Sequence, residues 1–385
     1  MIRLGFAIHL NNTWLGGINV ILNLINTIES DEKLGKNIKI ILFTNSKKKL
    51  KKFNINKKVE IIECFELFSQ SIFIKLIDKL FLFFFGKTIF LEKFLKKHNI
   101  NFISHTTFVT GKKSYTKSLV WIPDFQYLYF PNFFSLKYKV LKKINIFLYK
   151  IHSYKILLSS KSAFKDLKKI TNIKNNKVLV NQFTFDIPNI NYLKNFSYLK
   201  KKYNLKKNFF YLPNQYWVHK NHRVVIEAQK RLLDQGKKNI YIYSSGSKED
   251  YRHPQNFDNL FKLVKKYKMQ NNYFHLGLIP FIDVMSLIYN SLAVINPSLF
   301  EGWSSTVEQA KGYNKKVILS NISVHKEQNP KNGYFFNPYD SKELSQILFK
   351  INFKLHKKRS FPNKKKIDTK KINYNYTKNF LQLIK

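Results

Sequence analysis

Apolar positions recur along this chain in two alternating rhythms. Short runs rich in Ile, Leu, Val and Phe read as buried strands, and longer stretches with apolar residues three and four apart read as helices. The first strand, IRLGFAIHL, leads into a loop holding Gly16-Gly17 and then a helix with Ile18, Ile21, Leu22 and Ile25 on one face. Further strands are predicted at 38–45, 59–65, 101–105, 118–123, 155–160 and 177–183, with long basic helices around 72–98 and 135–154. The rhythm then breaks. Residues 184–207 hold Pro188, several asparagines and a lysine cluster, which read as a linker. A second series follows, with strands at 208–214, 239–246, 272–279, 292–298, 315–321 and 333–338 and helices near 221–235 and 257–269.

Strands that alternate with helices predict an α/β fold of parallel sheets. The expected domains are 1–190 and 205–355, each a Rossmann-like doubly wound sheet, the two facing a central cleft. A basic tail at 356–385 has packing back on the N-terminal domain as one expectation. Ligands of such sheets sit beyond the strand C-termini.

Composition sharpens this picture in three ways. Hydrophobic residues at 44%, with aromatics at 16%, exclude global disorder. The single cysteine, Cys64, permits no intrachain disulfide and no cysteine-based zinc site, which fits a reducing compartment. The opening MIRLGFAIHLNN has no secretory pattern, and no run approaches the ~18–20 apolar residues of a membrane span, so a cytoplasmic location is expected.

The formal net charge of +45, from 68 Lys+Arg against 23 Asp+Glu, admits two readings. A general bias towards Lys, Asn, Ile and Phe is one. Attraction to an anionic inner-membrane surface is the other, because lysines alternate with Phe, Leu and Ile in helical stretches such as 73–97. That stretch also reads as a core helix with lysines on its wet face. No nucleic-acid-binding motif accompanies the charge.

The richest chemistry lies in LFEGWSSTVEQA, residues 299–310, between a buried strand and a helix. Ser305 to Glu308 has the S-x-x-E spacing of a capping box, which gives Glu308 a structural task, and Asn314 suits a left-handed C-terminal position. Glu301 has no such task. It sits at a strand end before Gly302, beside a helix N-terminus suited to phosphate. A carboxylate beside a phosphate site fits a nucleotide sugar.

The longer run NPSLFEGWSSTVEQAKGYNKKVILSNISVHKEQ is similar to the donor-site segment of the family 4 (group 1) glycosyltransferases, which have the two-domain GT-B fold. WIPDFQYLYFPNFFS (121–135), LLSSKSAFKDL (157–167) and PNQYWVHKNHRVVIEA (213–228) resemble further elements of its mannosyltransferase-like branch, in family order. The resemblance runs from about residue 2 to 345 and implies the following roles. Glu301 contacts hydroxyls of the transferred sugar, and Lys220 neutralises the diphosphate leaving group. The backbone of Gly302, Trp303, Ser304, Ser305 and Thr306 faces the sugar and diphosphate. Gln309 stands where the family's second glutamate holds the ribose, and Gln215 stands where many members have an arginine. Asn214, His219 and Asn221 line the Lys220 loop, either as contacts or as turn residues.

In the first domain, Gly16 and Gly17 match a glycine loop near the donor phosphates and acceptor. Asp124 and Gln126 are placed on the acceptor side, with Tyr127 where relatives carry histidine. His275 and Glu327 are expected to be structural. The implied reaction is retaining transfer of a hexose, mannose-like, from a nucleotide diphosphate sugar to a lipid-linked glycan or surface polysaccharide such as lipopolysaccharide O-antigen or capsule. It requires no metal or other cofactor. Rival readings are a degenerate scaffold that binds glycan or membrane, and a nucleotide-sugar epimerase or hydrolase on the same fold.

Overall fold

The structure, a computed structural model, describes residues 1–10, 15–185, 187–357 and 369–384. The chain divides into two compact units, one comprising Met1–Phe185 with Lys370–Lys385 and the other Asp186–Thr369.

The first unit is built on seven parallel strands: β1 (Ile2–Ile8), β2 (Ile38–Thr44), β3 (Glu60–Glu63), β4 (Phe102–Thr106), β5 (Lys117–Ile122), β6 (Lys155–Leu158) and β7 (Val178–Val180). Their order is β3-β2-β1-β4-β5-β6-β7. β1 and β2 pair along their whole length, from Ile2 opposite Ile38 to Ile8 opposite Thr44. Leu4, Phe6 and Ile40 to Phe43 are fully buried, as parallel strands covered on both faces require.

The second unit repeats the plan with six strands: β8 (Phe210–Leu212), β9 (Ile242–Ser244), β10 (Tyr273–His275), β11 (Val294–Asn296), β12 (Val317–Ser320) and β13 (Gly333–Phe336), in the order β10-β9-β8-β11-β12-β13. In each sheet the strand order reverses once, between β1 and β4 and between β8 and β11. Those two switch points are where loops part and leave room for a ligand.

Three sequence expectations need correction. The long basic helix at 72–98 is two helices, Ile72–Phe85 and Phe90–Lys97. Gly86 takes the left-handed conformation (φ 72°) and ends the first. Asp78 then accepts the N–H groups of Ile89, Phe90 and Leu91 at 2.7, 2.9 and 3.1 Å, capping the second. The apolar period runs straight through this break, so periodicity alone conceals it.

The predicted linker contains a helix, Phe196–Tyr203, which starts at Asn195, whose side chain accepts the Tyr198 N–H, and ends at left-handed Asn204. Gly16 and Gly17 lie in the first turn of the helix Leu15–Ser30 and not in a loop. The apolar face that begins at Ile18 carries the helix, and glycine's cost is least in a first turn whose N–H groups have no helical partners anyway.

The C-terminal helix Thr369–Leu381 brings Phe380 against the first sheet, its ring 6.4 Å from Phe6 and 5.6 Å from His105. The 358–368 part of the tail lies outside the described residues.

Candidate active site

The candidate site grows from the β8/β11 switch point of the second unit. After β8 the chain runs through Asn214, Gln215 and Lys220 to the helix His222–Asp234. Buried Asp250 accepts the Val218 N–H at 3.1 Å, and the Trp217 indole donates to Glu249 O at 3.2 Å, so the loop after β9 braces the loop after β8. The two backbones touch at Gly246 (φ +144°), where an added Cβ would stand 2.6 Å from Asn214 O. Asn221 turns the chain in a left-handed conformation, and its amide donates to Pro297 O at 3.2 Å and Pro338 O at 2.8 Å. His219 O accepts the Leu299 N–H at 2.8 Å. The loops after β8, β11 and β13 are thereby fastened together.

Asn296, at the end of β11, sits at the centre of this arrangement. Its Nδ2 donates to Ser304 Oγ at 2.7 Å, and its Oδ1 accepts from Asn214 Nδ2 at 3.2 Å. Ser298 Oγ lies 2.7 Å from both Asn296 Oδ1 and Glu301 Oε1, and its one proton serves only one of them at a time. Lys220 Nζ donates to Glu301 Oε1 at 2.6 Å, and both side chains are largely buried. Burial pushes the Glu301 carboxyl up. The Lys220 ammonium and the Lys220 and Ser298 hydrogen bonds outweigh it, so the carboxyl is held below its ordinary value. The site therefore presents an ionised carboxylate at neutral pH, with Lys220 Nζ held against it.

His325 lies beneath this pair, fully buried, with its pKa pushed down to about 4 by desolvation. Its Nδ1 is 2.9 Å from Ser320 O, so the neutral ring carries its proton there, and Nε2 has no partner among the described residues. The Ser320 hydroxyl in turn donates to Ser298 O.

The helix Ser305–Gly312 completes the site, with a correction to its start. Its cap is Ser304, whose Oγ accepts the Val307 N–H at 3.4 Å; Ser305 is already helical. Two adjacent serines make the spacing ambiguous, and Asn296 resolves it by gripping Ser304 Oγ. Glu308 consequently closes no capping box. Its carboxylate accepts from Gln328 Nε2 at 2.8 Å and Lys311 Nζ at 3.0 Å, and burial raises its pKa. Gln328 also brackets Ser304, accepting its N–H at 3.3 Å and donating to its O at 2.9 Å. That leaves the amides of Ser305 and Thr306 in the first turn, out of reach of any helical carbonyl. Trp303 is buried beside them, Gly302 and Gln309 are part-exposed, and Asn314 is left-handed (φ 51°) as its position predicts.

The structure thus groups Glu301, Lys220, Asn214 and the 302–306 segment. Sequence reasoning missed Asn296, Ser298, His325 and Gln328, which orient them. The last two stand in the quoted VHKEQ, but nothing in their spacing reveals that they reach back to Ser320 and Ser304. His275 packs against Tyr216, with the ring centroids 4.8 Å apart.

In the first unit, Gly16 is exposed, and a Cβ there would meet nothing within 4 Å. Asp124 accepts the Gln126 N–H at 3.0 Å. Tyr127 packs in the core with Phe125, Ile146 and Tyr149, and burial pushes its hydroxyl up to about 12.

Residues 216–364 match the family Glycosyl transferases group 1 over the segment that builds this site. The chain is a glycosyltransferase. The glycosyltransferase is similar in fold to a solved glycosyltransferase from Rickettsia africae, with TM-score 0.64 and 17% identity over 99% of this chain and 93% of that one. It is also similar to Anabaena HepE in complex with UDP-glucose, with TM-score 0.66 and 14% identity over 99% and 95%. A third similar structure is WaaG, a glycosyltransferase involved in lipopolysaccharide biosynthesis, with TM-score 0.63 and 11% identity over 98% and 93%. At these identities the likeness carries the fold, which is GT-B. No curated protein matches the glycosyltransferase significantly by sequence.

Proposed function

We propose that this glycosyltransferase takes a nucleotide diphosphate sugar as donor and transfers its hexose, mannose-like, with retention to a lipid-linked glycan or surface polysaccharide. The observation that carries the reading is the Lys220–Glu301 pair, 2.6 Å apart at the β8/β11 switch point beside the first-turn amides of Ser305 and Thr306. Anabaena HepE has been solved with UDP and with UDP-glucose, which supports a nucleotide-sugar donor here.

In this reading Glu301 accepts hydrogen bonds from hydroxyls of the transferred sugar. Lys220 turns part of its charge to the diphosphate as the glycosidic bond breaks, where stabilisation counts most. Asn214, Gln215, Gly302, Trp303 and Ser304 shape the donor site, and Gln309 meets the ribose by amide hydrogen bonds without charge assistance. Gly16 and Gly17 are assigned to the donor phosphates, and Asp124, Gln126 and Tyr127 to the acceptor side. No side chain is assigned as base. The departing phosphate oxygen assists the acceptor hydroxyl, and Lys220 supplies the cation, so EDTA should leave transfer unchanged. A lipid-linked acceptor places the enzyme in the cytoplasm at the inner membrane surface, in surface-polysaccharide synthesis like the process WaaG serves.

The deciding experiment is thermal unfolding against a panel of UDP and GDP sugars. One nucleotide series should stabilise the protein by about 2–3 kcal/mol at a hundredfold excess over its Kd. If no nucleotide shifts the transition, the donor reading falls.

A further inference from the structure

The first unit carries a surface that its fold does not need. In the helix Ile72–Phe85 the residues Ile72, Phe73, Leu76, Leu80, Phe83 and Phe84 recur at helical spacing on the solvent side, and Phe73, Phe83 and Phe84 are each 64–70% exposed. The helix Leu136–His152 repeats the inversion with Leu136, Val140, Leu141, Ile144 and Phe147 exposed. An ordinary surface helix turns such a stripe inward. The two helices are neighbours: Leu82 of the first packs in one core cluster with Ile146, Leu148 and Tyr149 of the second, and both border one cavity. Both stripes therefore face solvent from one unit, and apolar surface of that extent is of a kind that monomeric proteins rarely expose without use.

The charge around the stripes has one sign. Lysines 75, 79, 137, 139 and 143 lie in the two helices. The only acid in either helix is Asp78, which is turned inward to cap the helix Phe90–Lys97. From Lys93 to Pro123, and again from Phe125 to Lys165, the sequence contains no Asp or Glu. Among the described residues, no helix is long and apolar enough to cross a membrane.

We infer that the helices Ile72–Phe85 and Leu136–His152 form one docking face that inserts its aromatic and aliphatic side chains into the acyl boundary of an anionic lipid bilayer. Aromatic and aliphatic groups on one face with lysines around them suit that boundary, where the apolar groups leave water and the ammonium groups meet lipid phosphates. A protein partner of matching chemistry would need an acidic rim around an apolar centre, and a second copy of this chain offers the same positive charge and would be repelled. This inference rests on the proposed function only for its purpose, which is to bring the enzyme to a lipid-linked acceptor. The face itself stands on its own residues.

Co-sedimentation of the full chain with vesicles tests it. Vesicles of phosphatidylcholine containing about a quarter phosphatidylglycerol should bind the protein at ~0.05 M salt, and pure phosphatidylcholine should bind it far less. Phe73→Ser/Phe83→Ser/Phe84→Ser, and separately Leu136→Ser/Ile144→Ser/Phe147→Ser, should each weaken binding at least about tenfold. All six residues are exposed, so folding should survive, as circular dichroism and an unchanged melting temperature would show. Nucleotide-dependent stabilisation should match the parent protein, which separates this test from that of the donor site. Three results would overturn the inference: no binding at low salt, equal binding by parent and both variants, or a dimer in vesicle-free buffer that the same substitutions dissociate.

Discussion

The two units of this glycosyltransferase share one topology and fill its switch point in opposite ways. Between β8 and β11 the space is lined by polar side chains, with Asn214, Asn296, Ser298, Ser304, Lys220 and Glu301 joined at 2.6–3.2 Å. Between β1 and β4 there is a cavity of about 560 Å³, walled largely by Ile8, Ile21, Leu82, Leu91 and Leu148 with His9 at its rim. The same strand order thus supports a preorganised electrostatic site in one unit and a roomy apolar recess in the other. Topology fixes where a site forms; the side chains at the strand ends decide what it holds.

The largest effect should come from Glu301→Ala, which strips the polar switch point of its carboxylate. Transfer should fall at least about 10²–10³-fold while the melting curve stays cooperative. Near-normal turnover would remove the donor site from this unit.

A matched pair comes next. Asn296→Ala leaves the Asn214 amide and the Ser304 hydroxyl without their partner and should cost about 1–3 kcal/mol of stability, with weaker nucleotide binding. Leu91→Ala, at the wall of the apolar recess, should cost about 2–3 kcal/mol and leave nucleotide affinity unchanged. Chemical denaturation with parallel titration calorimetry distinguishes them, and equal loss of affinity in both would erase the contrast. A smaller change is expected of Gln309→Glu, which adds a carboxylate at the residue proposed to meet the ribose and should tighten nucleotide binding about fivefold. Unchanged affinity would take Gln309 out of contact with the ribose.

The smallest effect concerns pH. His105 borders the apolar recess with its pKa pushed down to about 3 by burial. A folded-state value below the unfolded ~6.5 means that the unfolded chain binds more protons between the two, so stability falls as pH drops from 6.5 towards 3. Glu301, a carboxyl held low, keeps its contribution above the unfolded carboxylate value of ~4.3 and loses it only below. Acid sensitivity between pH 6.5 and 4.5 should therefore weaken in His105→Asn, which tolerates the left-handed backbone there, and persist in Glu301→Ala. The slope involved is at most about 1.4 kcal/mol per pH unit, and His222 and His325 add their own share.

The sequence exposed the sheets far better than the loops. Every strand falls within or beside a predicted run, because strands covered on both faces are weighted towards apolar residues and even the edge strand β3 keeps Ile61 and Ile62 between its glutamates. The break at Gly86 was hidden because Phe81 to Phe85 and Phe90 to Leu95 keep one apolar rhythm across it. The helix Phe196–Tyr203 was hidden because only Leu199 among its residues is buried. Glu301 and Lys220 were legible through resemblance, whereas their supports were not. Asn296 and Gln328 act through contacts 8 and 24 residues away from Ser304, and no local period records a contact at such a distance.

Gly246 has a consequence beyond its own turn. The chain is weighted towards bulky Lys, Asn, Ile and Phe, and contains only 12 glycines in 385 residues. Against that background a glycine is conspicuous, and at Gly246 no substitute fits, because a side-chain carbon would collide with the Asn214 backbone. Gly111 is its counterpart in the first unit, where a Cβ would stand 2.3 Å from Gly86 O. In a composition that drifts towards large residues, such positions act as fixed survey marks. They show where two stretches of main chain must touch, and they locate the loop crossings that the apolar rhythm does not record.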